Sequence, residues 1–388
     1  MRTDPIVSNW PDTVFDIMSG LARTHNAINL GQGFPDTQGP EELRCLAGEA
    51  LLTGSNQYPP MRGLPNLREA AARHYKTHQG LDLEARCVLV TSGATEALAA
   101  TLLALLHPDD EVLVLDPAYD AYRPLIARAG RRARSFALQP PHWHLDVPAL
   151  EAALTPNTRA ILFNNPMNPA ARAFSLPEVQ ALSALCQKHD LIAICDEVWE
   201  HVIFDQNQHV SVLGQSGMAE RTVKIGSAGK MFSMTGWKVG FVVAAPGLLD
   251  PIAKAHQYLT FTTPPALQEA IAHGLDWDRA WFTAQQQSFQ RSRDRLAAAL
   301  TQEGFAVLPS EATYFLCVDL PTSGIAQDPW TFAKAAVTQF GVATIPLTSF
   351  YQDPATAPPV IRLCFAKADA TLDAGVERLA QAKRSLCA

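Results

Sequence analysis

The middle of the chain alternates short apolar runs with longer stretches whose apolar residues recur at helical spacing. Six runs are continuous rather than alternating: 87–91 (CVLVT), 111–115 (EVLVL), 159–163 (RAILF), 191–195 (LIAIC), 222–226 (TVKIG) and 239–245 (VGFVVAA). Strands buried on both faces read this way, so the six predict the interior of a largely parallel sheet. Between them, 94–106, 118–130 and 177–189 read as helices, with Leu98, Leu102 and Leu105 on one face of the first. Such alternation implies right-handed crossovers and a ligand crevice beyond the carboxyl ends of the strands. The last hundred residues differ. A long helical pattern near 277–303 leads into FLCVDL and VIRLCFA strands and a closing helix near 370–385. This predicts a smaller α+β domain at 286–388, completed by an N-terminal arm at 1–40, beside a large domain at 41–285.

Composition narrows the partners. The 388 residues are 47% apolar, enough for a large core, and carry a net charge of −7 with scattered basic residues. Neither nucleic acid nor an anionic membrane surface is an expected partner. No run approaches the roughly 18 apolar residues of a membrane helix, and the start, MRTDPIVSNWPD, lacks the layout of a secretory signal. The seven cysteines are widely spaced and mostly within apolar runs, which fits reduced thiols in a cytoplasmic protein. His142 and His144 flank Trp143 in a Pro-bounded stretch with no further ligands nearby, so a loop rather than a metal site is expected there.

Three segments carry candidate chemistry. Ser92-Gly93-Ala94-Thr95 stands where a strand gives way to a helix, whose free N–H groups favour a phosphate; ordinary capping reads the same residues as well. Asp196 closes an apolar strand, placing a carboxylate at the crevice edge or at a helix cap. Lys230 follows Ser227-Ala228-Gly229 directly after a strand, where an amine can reach the crevice. A desolvated lysine amine is the group that forms imines with carbonyls.

The order of NNPMNPA, DEVWE, SAGKMFSMTGWKVG and IRLCF after the phosphate turn resembles fold-type I, class I/II pyridoxal 5'-phosphate (PLP) aminotransferases. NLGQGFPD and NQYPPMRGLPNLREA are similar to the branch of methionine and kynurenine–glutamine aminotransferases, which includes cysteine-S-conjugate β-lyases. The resemblance spans nearly the whole chain. It implies an α/β fold with a mostly parallel seven-stranded sheet flanked by helices, a smaller α+β domain, and a homodimer with shared active sites. It also implies ping-pong transfer of an amino group from an amino acid to a 2-oxo acid, with C–S β-elimination as the alternative. Apolar, aromatic, glutamine or kynurenine donors are expected from Phe34, Tyr119 and Phe261.

By that resemblance Lys230 carries PLP and moves the proton, and Asp196 pairs with the pyridine nitrogen. Ala94, Thr95, Ser227 and Lys238 hold the phosphate, Tyr119 stacks on the ring and Asn168 meets the ring hydroxyl. Arg362 takes the substrate carboxylate in two parallel bonds. Gly33 lets the substrate approach, while Tyr58 and Phe261 reach the neighbouring subunit's site. Three positions depart from the pattern. Trp199 replaces a tyrosine that bonds the cofactor's ring oxygen, Ala171 a glycine, and Lys238 an arginine. A dehydrogenase reading would need GxGxxG after an early strand, and the chain has none in that context. A catalytically dead binding module fits poorly with Lys230, Asp196 and Arg362 together.

Overall fold

A computed structural model describes residue 10 and residues 12–386. Most of the N-terminal stretch read for a signal, and Cys387, therefore lie outside the described residues. Thirteen strands follow in chain order. β1 is Ile28–Asn29. The central sheet contains β2 (Val88–Thr91), β3 (Glu111–Asp116), β4 (Arg132–Ala137), β5 (Thr158–Asn164), β6 (Ile192–Asp196), β7 (Thr222–Ser227) and β8 (Gly240–Val243). Then come β9 (Ala306–Val307), β10 (Phe315–Asp319), β11 (Val342–Ala343), β12 (Ile345–Pro346) and β13 (Val360–Cys364).

The central sheet has the order β2-β8-β7-β6-β5-β3-β4, and only β8 runs against its neighbours. All six apolar runs lie in it, and their residues are almost wholly buried because helices cover both faces. The seventh strand, Arg132–Ala137, is an edge strand of exposed and half-buried residues. Its arginines hide it from a search for apolar runs, since an edge needs little buried surface. The helical pattern at 118–130 shrinks to a helix at Tyr122–Arg128, because residues 118–121 form the turn out of β3.

A second, antiparallel sheet has the order β12-β13-β10-β9. The helices Arg279–Gln302 and Asp369–Leu386 match the predicted long and closing helices. The segment 28–30 is woven into this end. β1 pairs in parallel with β11, and the Cys364 N–H donates to the Leu30 carbonyl at 2.7 Å. Among the described residues no helix is long and apolar enough to cross a membrane. His142 and His144 stand exposed on a turn, their rings 5.3 Å apart.

Behind the ends of β6 and β7 lies a buried ion network. The Lys224 ammonium stands 2.5 Å from a Glu197 oxygen and 2.6 Å from a Glu200 oxygen, all three side chains fully buried. His209 meets the same Glu197 oxygen at 2.7 Å. The two glutamates and His209 are spaced as cation ligands, but the Lys224 ammonium already bridges the carboxylates. Burial pushes the Glu197 carboxyl up, yet Lys224 and His209 outweigh it and hold it down at about 2. Removing the cation strands two buried charges. K224M is therefore expected to cost about 3–5 kcal/mol in denaturant unfolding, as breaking a buried pair does. Because the Glu197 carboxyl titrates lower in the folded chain than unfolded, its contribution is present above the ordinary carboxylate range. It is expected to be lost as pH falls toward 2, in acid unfolding followed by circular dichroism.

Candidate active site

Strands β2, β3, β5, β6 and β7 share one direction, so the residues after them gather at one edge of the sheet. From there Gly93, Ala94 and Thr95, Tyr119, Asn168, Asp196, and Ser227 and Lys230 line a cavity of about 240 Å³, which Trp199 and Lys238 complete. A second cavity of about 210 Å³ shares Tyr119, Asn168, Trp199 and Lys230, and adds Gly33, Phe34 and Arg362.

Lys230 sits in the short helix Ala228–Met231, which Ser227 caps by accepting the Lys230 backbone N–H at 3.3 Å. Burial pushes its amine down to about 8, with Arg362 and Lys238 acting in the same direction and Asp196 against it. Nζ donates to the Tyr314 hydroxyl at 3.1 Å and lies 4.7 Å from the Trp199 ring centre. Trp199 thus shows the amine its π face, and its ring stands perpendicular to that of Tyr314 with centres 4.4 Å apart.

Asp196 ends β6 with only 5% of its surface exposed. Burial raises its carboxyl above the ordinary range, opposed by the Tyr122 hydroxyl, the Val198 amide and Lys230. One oxygen accepts from Tyr122 at 2.6 Å; the other has only the Val198 N–H at 3.4 Å, so it retains capacity for a strong donor. At the opposite side, Gly93 turns the chain into the helix Ala94–Leu105 with φ +81°, a conformation that disfavours any side chain. A Cβ there would also stand 3.0 Å from the Lys238 ammonium, which overlies the turn. Ser92 N–H donates to Glu96 at 3.1 Å, fixing that first turn.

Arg362, on β13, is fully buried. Its guanidinium donates to Asn168 Oδ1 and to the Gly31 carbonyl, each at 2.8 Å, and lies 3.8 Å over the Phe315 ring. Nε is buried without a partner. An orphaned buried donor costs about 1–3 kcal/mol, so this site favours an incoming acceptor. Gly33 is held by packing as well as by access, since a Cβ there would meet the Phe315 ring at 2.5 Å. Ala171 has φ +57°, so the turn after Asn168 keeps the left-handed conformation in spite of its methyl, at roughly 1–2 kcal/mol.

These side chains fit PLP: an amine for its aldehyde, a buried carboxylate with room for a pyridinium, and a helix start beside a cation for its phosphate. Two predicted residues fall elsewhere. Tyr58, 84% exposed, and Phe261 pack edge-to-face at 5.4 Å on the surface, outside both cavities. Sequence reading missed Tyr122 and Tyr314, the phenols that bond Asp196 and Lys230. Tyr122 lies three residues beyond Tyr119 in DPAYDAY, a spacing that puts both at one turn. Tyr314, beside the apolar run of β10, looks like a core aromatic.

The chain matches the family model described as aminotransferase class I and II over residues 25–379, and it belongs to that family. It is a PLP-dependent aminotransferase. It is 42% identical over 382 residues to a probable N-succinyldiaminopimelate aminotransferase of Mycobacterium tuberculosis, covering 95% of this chain and 96% of that protein. It is likewise 42% identical over 387 residues to the methionine aminotransferase of Escherichia coli, with 98% and 100% covered. Human kynurenine–oxoglutarate transaminase 1 is 33% identical, with 94% of each chain covered. A solved N-succinyldiaminopimelate aminotransferase from M. tuberculosis superposes with a TM-score of 0.95 at 41% identity, over 98% of this chain and all of that one. These relatives are named for amino-group transfer, which disfavours the β-lyase alternative.

The buried amine generates a prediction for the cofactor-free protein. Reductive methylation of Lys230, followed by peptide mass spectrometry across a pH series, is expected to be half-maximal near the value of about 8 rather than that of an ordinary lysine.

Proposed function

We propose that the chain transfers an amino group from a neutral-side-chain amino acid to a 2-oxo acid, with Lys230 and Asp196 gripping opposite ends of one PLP ring. The carrying observation is that this amine and this carboxylate line one cavity. Bound there, PLP supplies an electron sink for the pair left at Cα when a proton departs. Lys230, once free of the cofactor, takes that proton and returns it at the neighbouring carbon, for which an amine titrating near neutrality is suited. With PLP bound, Asp196, oriented by Tyr122, would keep the ring nitrogen charged and Tyr119 would pack against the ring. Ala94, Thr95, Ser227 and Lys238 would receive the phosphate, and the Asn168 amide would meet the ring hydroxyl.

Arg362 holds the α-carboxylate, offering its unpartnered Nε together with one terminal nitrogen. The second cavity is lined by Phe15, Phe34, Phe315, Tyr119 and Trp199 with the neutral Gln32, Gly33, Asn168 and Thr235, and its other cation is Lys230 itself. Lys367, over the outer Phe34 ring, is already paired with Asp36, so an acidic side chain finds no unpaired cation in the lining beyond Lys230, whereas a thioether, aromatic or amide side chain finds mostly apolar surface. We further infer a cytoplasmic homodimer in which Tyr58 and Phe261 complete the neighbouring site. Their exposure, together with that of Leu52 and of Tyr258, 86% exposed, supports it. The pairing of β1 with β11 supports an N-terminal arm that joins the small domain.

Three outcomes are expected. The purified protein saturated with PLP absorbs above about 400 nm and K230A does not; a colourless parent would overturn the reading. In a panel of donors, methionine or phenylalanine should exceed aspartate in kcat/KM by at least about a hundredfold, because an unpaired carboxylate in the pocket costs on the order of 3 kcal/mol. Light scattering should give twice the chain mass, and Y58A should weaken PLP retention without loss of the fold.

A further inference from the structure

Lys230 Nζ has one hydrogen-bond partner among the described residues, the Tyr314 hydroxyl at 3.1 Å. That hydroxyl donates its only proton to the Gly33 carbonyl at 2.7 Å, so it faces the amine with a lone pair. The phenol has little freedom. Tyr314 is buried, its ring packed edge-on against Trp199 at 4.4 Å and Phe315 at 5.0 Å. Trp199 offers the amine a ring face at 4.7 Å, which attracts a cation but provides no directed acceptor. The oxygen near the amine therefore comes from residue 314, not from residue 199.

We propose that Tyr314 is the positioning residue of Lys230, fixing the amine through an accepted N–H bond and tying it to the Gly33 carbonyl. The proposal rests on the reading of Lys230 as the cofactor lysine. The Gly31–Gly33 segment is pinned twice, by Arg362 at the Gly31 carbonyl (2.8 Å) and by Tyr314 at the Gly33 carbonyl. A carboxylate arriving at Arg362 thus meets a guanidinium tethered to the same three residues that anchor the phenol, which links carboxylate binding to the placement of the amine.

The test is Y314F, which removes one atom and keeps the ring packing. The other groups acting on the amine are Asp196, Cys364, Arg362 and Lys238, and none of them changes in this variant. In the cofactor-free protein, the midpoint for reductive methylation of Lys230 is expected to move to lower pH by roughly half a unit, since an acceptor of the charged amine is gone. In the loaded enzyme, kcat is expected to fall about tenfold while KM for the amino donor changes less than about twofold. A midpoint unmoved within about 0.1 unit overturns the proposal. So does a moved midpoint with unchanged kcat, because the bond would then not serve the reaction. Should Y314F fail to fold, 3-fluorotyrosine incorporated throughout weakens the same acceptor, and the midpoint is expected to move in the same direction by less. The underlying reading fails differently: a K230A protein that still takes up PLP colour removes the role of Lys230 itself.

Discussion

The structure depends on keeping an amine and a carboxylate apart from water yet open to one cavity. Neither Lys230 nor Asp196 is paired with the other, and burial shifts each toward its neutral form. An isolated carboxylate in such surroundings is costly unless something charged faces it. Each has one phenol for support, Tyr122 for Asp196 and Tyr314 for Lys230, and each retains bonding capacity toward the cavity. A charged ring with an aldehyde at its other end satisfies both at once.

That poise requires a rigid frame. Parallel β5, β6 and β7 bring Asn164, Asp196 and Ile225 into register, with Ser227 two residues further along β7, so the site is built on strand ends rather than on free loops. Behind it, the bridge from Lys224 to Glu197 and Glu200 fixes the residues that directly follow Asp196. The substrate-facing wall comes from the other sheet. Arg362 stands on β13, and the chain start, threaded between β11 and β13, carries Gly31 and Gly33 to it. The pocket therefore forms where the two sheets meet.

The central sheet was legible because its inner strands are covered on both sides and read as unbroken apolar runs. Arg132–Ala137 escaped because an edge strand tolerates charge, so its residues carry no such signature. Strand ends also placed two candidate site residues, since Asp196 closes β6 and Lys230 follows β7, whereas Asn168 was read only through the resemblance. The burial of Arg362 follows from β13 itself, every residue of which is buried. The supporting phenols were invisible, because a tyrosine in an apolar setting looks the same whether its hydroxyl faces solvent or a buried amine. Tyr58 and Phe261 mark a different limit, as a single chain offers them no site to complete.

The central claim is that one ring touches both Lys230 and Asp196. Borohydride reduction of the PLP-loaded enzyme, followed by peptide mass mapping, tests it most directly by fixing the cofactor where it resides. The account predicts the pyridoxyl phosphate increment on the peptide containing Lys230 and on no other. An increment on Lys238 or another lysine, with Lys230 unmodified, would contradict it.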